Sequence, residues 1–288
     1  MKNIATKALL NSIEQRLTQE ESLEERKSLS FLTAEHLFNI NRTDILMDKD
    51  LSLDEGKEKQ LEDFIQQLNQ GTPIQHLIGK VEFYGRYFLV NKNVLVPRPE
   101  TEELVHLILN DHQDMEAYEV LDIGTGSGII PITLKKERPG ATVYGLDVST
   151  AALSTAKRNA VLNRAEVLFM EFDILGQKEL PIEKLDLIVS NPPYVLEKEK
   201  AQMRKNVLEH DPHLALFVAD DKPLIFYERI AEIAQERLKP LGWLYFEINE
   251  QFGEKTIELL SSLNFSEMSI IQDMQGKDRI VKAQKPAS

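Results

Sequence analysis

The sequence predicts an α/β protein in which a small all-α domain precedes a doubly wound, mostly parallel sheet. Three observations predict this architecture. Residues 1–79 carry apolar side chains at helical spacing, and strands alternate with helices from about residue 117 onward. The last two strands, near 267–272 and 279–283, are separated by too few residues for a helical crossover, so we expect them to be antiparallel.

Composition and charge narrow the classes of protein to consider. The chain has 288 residues, enough for two domains, and its lack of cysteine excludes disulfides and thiolate metal sites. A net charge of −13 argues against nucleic acid as the direct substrate, because such binding relies on basic surfaces. There is no apolar run of ~18 residues, and the start is typical of an amphipathic helix. We therefore expect a cytoplasmic protein that does not enter a membrane.

The first domain, residues 1–79, is expected to be a bundle of helices. Ser22 with Glu25 and Ser52 with Glu55 have the spacing of capping boxes, which predicts a helix after each serine. The Gly-Thr-Pro segment 71–73 is expected to end the last helix, since proline cannot continue one. The apolar residues at helical spacing include Leu9, Ile13, Leu17, Leu61, Phe64, Ile65 and Leu68.

Residues 80–96 are expected to form a β-hairpin that links the two domains. Aromatic and β-branched residues surround Gly85, and the polar segment 91–93 interrupts them. The second domain is expected to span residues 97–288, and Ser149 has the position of a helix cap. Its expected strands cover residues 120–123, 142–147, 167–169, 185–189 and 243–248, with a helix over 223–238 before the last of these.

A glycine-rich turn separates the strand at 120–123 from the helix that follows it. Gly124, Gly126 and Gly128 would let backbone approach a ligand closely, and Asp147 ends the next strand 23 residues after Gly124. A carboxylate in that position can accept hydrogen bonds from both hydroxyls of a ribose, so the pattern predicts a nucleoside-containing cofactor. The dinucleotide fingerprint is G-x-G-x-x-G, whereas position 129 here is isoleucine, which disfavours hydride transfer.

A second motif, Asn191-Pro192-Pro193-Tyr194, directly follows the strand at 185–189. Ligands of open α/β sheets bind at the carboxyl ends of the strands, so we expect this motif and the glycine turn to share one crevice. The Asn191 side-chain oxygen and the Pro192 carbonyl can accept both N–H groups of a planar nitrogen. Tyr194 would offer a flat face beside it, and positioning would supply most of the catalysis.

These residues carry a family resemblance. The Asn-Pro-Pro-Tyr motif occurs in amino-methyltransferases that act on glutamine amides, adenine N6 or guanine N2. Three further stretches make the chain similar to the bacterial peptide chain release factor N5-glutamine methyltransferases: residues 71–76, 96–102 and 122–128. The resemblance covers nearly the whole chain. It implies a Rossmann-like class I fold and methyl transfer from S-adenosylmethionine to the glutamine of the release factors' Gly-Gly-Gln motif.

The resemblance also implies roles for particular residues. Ile174 stands where the family often has an aromatic residue, Asp211 begins a stretch that usually starts with Glu, and Asn249 replaces a common Gly. No metal is implied. The implied cofactor-binding residues are Gly124, Thr125, Gly126, Ser127, Gly128, Asp147, Asp173, Ile174 and Asn191, and the implied catalytic and substrate-binding residues are Asn191, Pro192, Pro193 and Tyr194.

Several alternatives stay open at this point. A ribosomal-protein glutamine methyltransferase shares the catalytic motif, and a nucleic-acid amino-methyltransferase is disfavoured by the acidic charge. A noncatalytic adaptor that keeps the fold would not need to bind S-adenosylmethionine. Residues 210–213, His-Asp-Pro-His, contain possible zinc ligands, but the proline favours an ordinary loop. We expect a monomer whose helical domain recognises release factors as protein substrates.

Overall fold

The computed structural model describes residues 2–18, 22–176, 179–202 and 212–287. The described residues form two compact units, one ending at Gly79 and the other beginning at Lys80. None of the helices within these ranges is both long and apolar enough to cross a bilayer.

The first unit is helical, with one short antiparallel sheet that the apolar periodicity did not predict. Strand β1 (Lys2–Ala5) pairs with β2 (Asp50–Leu53). The core contains Leu9, Ile13, Ala34, Phe64 and Ile65, which come from three of the helices and are all buried. The helices are α1 (Thr6–Arg16), α2 (Leu23–Phe38), α3 (Arg42–Leu46), α4 (Glu55–Asn69) and α5 (Ile74–Ile78).

One of the two predicted capping boxes is present. The Ser22 hydroxyl accepts a hydrogen bond from the Glu25 backbone, and the Glu25 carboxylate accepts one from the Ser22 backbone. The box predicted at Ser52 is wrong, because Ser52 pairs with Asn3 in the short sheet. Asp54 caps α4 instead and accepts from the Lys57 backbone N–H at 2.8 Å.

The hairpin predicted as a linker belongs to the second unit. It consists of β3 (Lys80–Phe83) and β4 (Arg86–Leu89), joined at Tyr84 and Gly85, which both have positive φ angles. Two-residue turns of this kind match the twist of the paired strands. Phe83 and Phe88 are both buried in a cluster with residues of the main sheet, so the hairpin is a structural part of that unit.

The second unit contains a seven-stranded sheet. Its strands are β5 (Glu119–Ile123), β6 (Thr142–Asp147), β7 (Leu168–Glu171), β8 (Leu185–Ser190), β11 (Leu238–Glu247), β12 (Ser266–Gln272) and β13 (Asp278–Gln284). They lie in the order β12-β13-β11-β8-β5-β6-β7. The strands from β11 to β7 in this order are parallel, and β13 is antiparallel to both of its neighbours, as predicted for the last two strands.

Helices cover both faces of this sheet and give two separate apolar clusters. A short parallel pair, β9 (Val195–Leu196) and β10 (Phe217–Val218), lies outside the main sheet. Ser149 caps α8, as predicted, and accepts from the Ala152 backbone N–H at 3.2 Å. The helices are α6 (Pro99–Asp111), α7 (Ile129–Glu137), α8 (Thr150–Asn163), α9 (His213–Leu216), α10 (Ile225–Arg237) and α11 (Gly253–Ser262).

Candidate active site

The two predicted motifs follow neighbouring strands at the point where the strand order reverses. From β5 the chain continues to β6 on one side, and it later returns to β8 on the other side. Such a switch point opens a crevice at the carboxyl ends of the strands, where ligands of open α/β sheets bind. The Ser190 hydroxyl donates to the Ile123 carbonyl at 2.6 Å and ties the ends of β8 and β5 together.

A cavity of about 480 Å³ lies at this point, within the range typical of small-molecule sites. It brings together ten of the predicted site residues: Gly124, Thr125, Gly126, Ser127, Asp147, Asp173, Ile174, Asn191, Pro192 and Pro193. The other two predicted residues do not line it. Gly128 packs beneath the loop, and the Tyr194 hydroxyl is directed at Glu247, 3.3 Å from its Oε1 atom.

The glycine loop satisfies most of its own backbone donors. The N–H groups of Gly124 and Thr125 both donate to the Leu146 carbonyl, at 2.9 and 2.8 Å. The Gly126 N–H donates to Asp147 Oδ2 and the Gly128 N–H to the Thr125 carbonyl, both at 2.8 Å. A phosphate site needs free N–H groups directed at the anion. This arrangement therefore disfavours a pyrophosphate ligand and agrees with the departure from the dinucleotide spacing.

Glycine is required at the three positions of the loop for different structural reasons. All three have positive φ angles, between 54° and 79°. A Cβ atom on Gly124 or Gly126 would meet nothing within 4 Å, so the loop presents bare backbone to open space there. A Cβ on Gly128 would lie 3.0 Å from the Ala156 Cβ atom, so this glycine permits close packing of α7 against α8.

Asp147 ends β6 and faces the cavity. Its Oδ1 atom accepts from the Ser149 N–H at 2.9 Å, while Oδ2 accepts from Gly126. A carboxylate has about four acceptor positions, so each oxygen can accept one more hydrogen bond, as two ribose hydroxyls would require. Burial raises the pKa of Asp147, and the backbone donors of Ser149, Gly126 and Val148 oppose that rise.

A second carboxyl group, Asp122, is completely buried beneath the glycine loop. Neither of its oxygens accepts a hydrogen bond from any described residue. Burial raises its pKa to about 7; the hydroxyl dipole of Thr125 opposes the rise and the charge of Asp147 adds to it.

The Asn191 side chain is held by a buried network. Its Nδ2 atom lies 3.3 Å from Thr101 Oγ1, and Thr101 Oγ1 lies 2.8 Å from Glu247 Oε2. The other Glu247 oxygen accepts from Tyr194. Burial raises the pKa of Glu247, and the Thr101 hydrogen bond and the charges of Arg279 and Arg98 oppose that rise.

Ile174 and Asp173 line the cavity after β7. Ile174 is buried, and its carbonyl accepts from Arg229 Nε of α10 at 2.9 Å. The Asp173 carboxylate accepts from the Leu175 N–H at 3.0 Å, which closes a tight turn. These contacts fix one wall of the cavity, in which Phe172, Ile174 and Leu175 supply apolar side chains next to the Asp173 carboxylate.

The residues present fit S-adenosylmethionine, the cofactor that the sequence resemblance implies. Bare glycine backbone, a carboxylate with spare acceptor positions and an apolar wall suit a nucleoside without a phosphate. The cavity also reaches Asn191, where a reacting group would be needed.

Thr101 and Glu247 were not predicted as site residues. Glu247 is the acidic end of the apolar stretch 243–246, and its place at the carboxyl end of β11 could have identified it. Thr101 lies in the first turn of α6, where the sequence offered no such signal. The possible zinc ligands His210 and Asp211, and the side chain of His213, lie outside the described residues.

The parallel sheet, its antiparallel last strands and the glycine loop with Asp147 define a class I methyltransferase. The model for the Methyltransferase small domain matches residues 101–214, and that for the PrmC N-terminal domain matches residues 8–79. A methyltransferase from Pyrococcus furiosus aligns with a TM-score of 0.53 at 19% identity, over 71% of this chain and 91% of its own. A T. thermophilus 16S rRNA methyltransferase, solved with AdoMet and guanosine, aligns with a TM-score of 0.51 at 17% identity, over 72% of this chain and 49% of its own.

Sequence relatives define the family more narrowly. The release factor glutamine methyltransferase of Flavobacterium psychrophilum is 44% identical over 90% of this chain and 91% of its own length. The one from Bacteroides thetaiotaomicron is 45% identical over 91% and 94%. The chain belongs to the family of release factor glutamine methyltransferases.

Proposed function

We propose that this protein transfers a methyl group from S-adenosylmethionine to the side-chain amide nitrogen of the glutamine in the Gly-Gly-Gln motif of release factors. The observation that carries the proposal is the convergence of the glycine loop, Asp147 and Asn191 on one cavity. The family of the chain agrees with it, because the relatives are release factor glutamine methyltransferases.

The glycine loop and Asp147 would hold the cofactor. Asp147 would accept hydrogen bonds from the ribose hydroxyls, and the wall that contains Asp173 and Ile174 would contact the adenine. When bound, S-adenosylmethionine supplies a methyl group on a positively charged sulfur, which needs no activation by a metal or a strong base. The largely apolar walls would leave little for water to bind beside that methyl group.

Asn191 and Pro192 would hold the substrate amide. An amide nitrogen is a poor nucleophile, because its lone pair is delocalised into the carbonyl group. If Asn191 Oδ1 and the Pro192 carbonyl each accept one N–H, the nitrogen is fixed with its lone pair directed away from both acceptors. Pro192 is buried and Pro193 lines the cavity, so the turn is stiff before substrate arrives. Positioning of this kind supplies most of the rate enhancement.

The first unit would recognise the protein substrate. A Gly-Gly-Gln loop offers few side-chain contacts, so a separate surface is needed to distinguish it from other glutamines. The match of residues 8–79 to the PrmC N-terminal domain supports this role and favours release factors over ribosomal proteins or nucleic acid. Two adjacent apolar side chains in this unit, Leu46 and Met47, are 78% and 77% exposed and are candidates for the contact.

The test is methylation of purified release factors, read by mass spectrometry after proteolysis. The intact protein with S-adenosylmethionine should add one methyl group to the Gly-Gly-Gln glutamine of the whole factor. A short peptide with the same motif should be methylated much more slowly, because it lacks the surface for the first unit. Equal rates on peptide and whole factor would contradict the recognition role, and the absence of methyl on that glutamine would contradict the proposed activity.

A further inference from the structure

Three side chains, joined by two hydrogen bonds, form a chain that runs from the core of the second unit to the cavity. It begins at Glu247, which has no exposed surface, passes through Thr101 and ends at the amide of Asn191. Thr101 and Asn191 line the cavity, whereas Glu247 does not. The chain therefore connects a buried carboxylate to a residue that faces the ligand.

When Glu247 is ionised, the order of donors along this chain has only one consistent solution. A carboxylate accepts hydrogen bonds and donates none, so the single proton of the Thr101 hydroxyl must lie between Thr101 Oγ1 and Glu247 Oε2, which are 2.8 Å apart. Thr101 then has only lone pairs to offer to Asn191, and the amide must turn its NH2 group toward it. The Asn191 oxygen is left on the opposite side, as an acceptor.

We propose that Glu247 and Thr101 are positioning residues that set the orientation of the Asn191 amide, so that its oxygen faces the glutamine substrate. This inference rests on the proposed function for the identity of the substrate, although the orientation itself does not depend on it. An asparagine amide without such a partner can rotate by 180° and present NH2 donors, which a substrate amide N–H cannot use.

Burial raises the pKa of Glu247, and several neighbours oppose that rise and so favour its acceptor form. The Tyr194 hydroxyl donates to its Oε1 atom, and the charges of Arg98 and Arg279 favour the ionised form. Arg279 is itself fixed, with its Nε atom 3.1 Å from Asp273 Oδ2. The negative charge of Glu100 acts against the two arginines and raises the pKa of Glu247. The Tyr227 hydroxyl donates to the Glu247 backbone carbonyl at 3.2 Å and holds the end of the strand.

The kinetic test compares four variants in single-turnover methylation of a whole release factor with saturating cofactor. Thr101→Val keeps the shape but removes the hydroxyl, and Glu247→Gln introduces an NH2 donor that lets the chain reverse. Each should slow the reaction roughly tenfold, on the scale of one lost hydrogen-bonding constraint. Thr101→Ser keeps the hydroxyl and should stay within about threefold of the wild type. The double variant should be no slower than the slower single variant, because both changes break one chain.

Thr256→Val is the matched control. Thr256 is equally buried, and its hydroxyl donates to the Phe252 carbonyl at 2.8 Å, but it does not line the cavity. It should lower stability and leave the methylation rate unchanged. All variants should bind S-adenosylmethionine with the affinity of the wild type. Normal rates in Thr101→Val and Glu247→Gln, a Thr101→Ser variant as slow as Thr101→Val, or multiplicative effects in the double variant would overturn the inference.

A measurement without substrate separates this inference from the proposed function. In ¹⁵N-labelled protein, the Asn191 side-chain signals are the ones missing from Asn191→Ala. One of its two NH2 protons should exchange slowly with solvent in the wild type and in Thr101→Ser, and quickly in Thr101→Val. Equal, fast exchange of both protons in the wild type would overturn the orientation, even if release factors are methylated. Slow exchange in a protein that methylates no release factor would overturn only the proposed function.

Discussion

The two loops at the switch point are rigid for different reasons. The glycine loop is fixed through its backbone N–H groups, which donate to the carbonyls of Leu146 and Thr125 and to the Asp147 carboxylate. The loop that carries Asn191 is fixed by proline rings and by side chains from distant elements, Thr101 of α6 and Glu247 of β11. Three of the four N–H groups in the first loop bond to backbone carbonyls and one to the Asp147 side chain, whereas the second loop depends on several side chains. The first loop therefore suits cofactor binding, and the second suits orientation of a reacting group.

The carboxyl groups beneath the two loops differ in the same way. Glu247 accepts hydrogen bonds from Thr101 and Tyr194 and has two arginines nearby. Asp122, beneath the glycine loop, has no hydrogen-bond partner among the described residues. A buried carboxyl with partners can hold a neighbour in place, and one without partners costs stability when it ionises.

The largest effect is expected at Asn191. Asn191→Ala should slow single-turnover methylation by roughly 10²–10³-fold, because the substrate amide loses a fixed acceptor, while cofactor affinity should change little. Asn191→Asp should also be severely slowed, since its charge favours the positively charged ground state over a transition state in which that charge disperses. The matched control is Asn163→Ala, which removes an amide bonded to the Tyr87 carbonyl away from the cavity. A near-normal rate in Asn191→Ala would show that this loop does not hold the substrate.

The next largest effect is expected at Asp147, beside the glycine loop. Asp147→Ala should weaken S-adenosylmethionine binding by about 10–100-fold, the equivalent of roughly 1.5–3 kcal/mol for a charge-assisted hydrogen bond. Titration calorimetry measures this directly. Asp186→Ala is the control, because Asp186 also accepts from a backbone N–H, that of Glu119, but at the other end of the sheet. Equal affinities in Asp147→Ala and the wild type would remove Asp147 from the cofactor site.

The buried carboxyl group of Asp122 should make the stability of the protein depend on pH. The pKa of Asp122 is raised to about 7 in the folded protein from an ordinary 3.8, so the folded state binds the extra proton and stability falls as pH rises between these values. Asparagine does not titrate in this range. The unfolding free energy of Asp122→Asn minus that of the wild type should therefore be larger at pH 8 than at pH 5, by about 2 kcal/mol. Fluorescence of the single tryptophan, Trp243, which lies in β11, reports unfolding of this unit. If the difference in unfolding free energy between the variant and the wild type is the same at both pH values, the pKa of Asp122 is not raised.

The smallest effect is the difference in stability cost between alanine substitutions at Gly126 and at Gly128. Gly126→Ala and Gly128→Ala both place a Cβ on backbone with positive φ, but only the second brings it against neighbours, at 3.0 Å from Ala156. Gly128→Ala should therefore cost about 1 kcal/mol more unfolding free energy than Gly126→Ala. Cofactor affinity should show the opposite order, since Gly126 lines the cavity and Gly128 does not. The same order in both measurements would contradict this division.

Much of this structure was predictable from local patterns. The strand and helix alternation, the Ser22 and Ser149 caps and the antiparallel last strands depend on spacing within a few residues, and all are present. The Asn191 loop and the glycine loop were predicted to meet because both follow strands of one parallel sheet.

The features that were missed depend on contacts between residues far apart in sequence. Thr101 and Glu247 are separated by 146 residues, and no periodicity reports that their side chains meet. The capping box predicted at Ser52 failed because that residue pairs with β1, a tertiary contact that overrides local spacing. The packing of the hairpin residues Phe83 and Phe88 against residues of the main sheet also depends on such distant contacts.

One crossed experiment tests whether the two loops have separate functions. Cofactor dissociation constants and single-turnover rates at saturating cofactor are measured for Asn191→Ala and Asp147→Ala with the same release factor. We expect Asn191→Ala to lose far more rate than affinity, whereas Asp147→Ala should lose affinity and recover most of its rate once cofactor is saturating. If both variants lose affinity and rate together, the loops act as one unit and the division of duties is wrong.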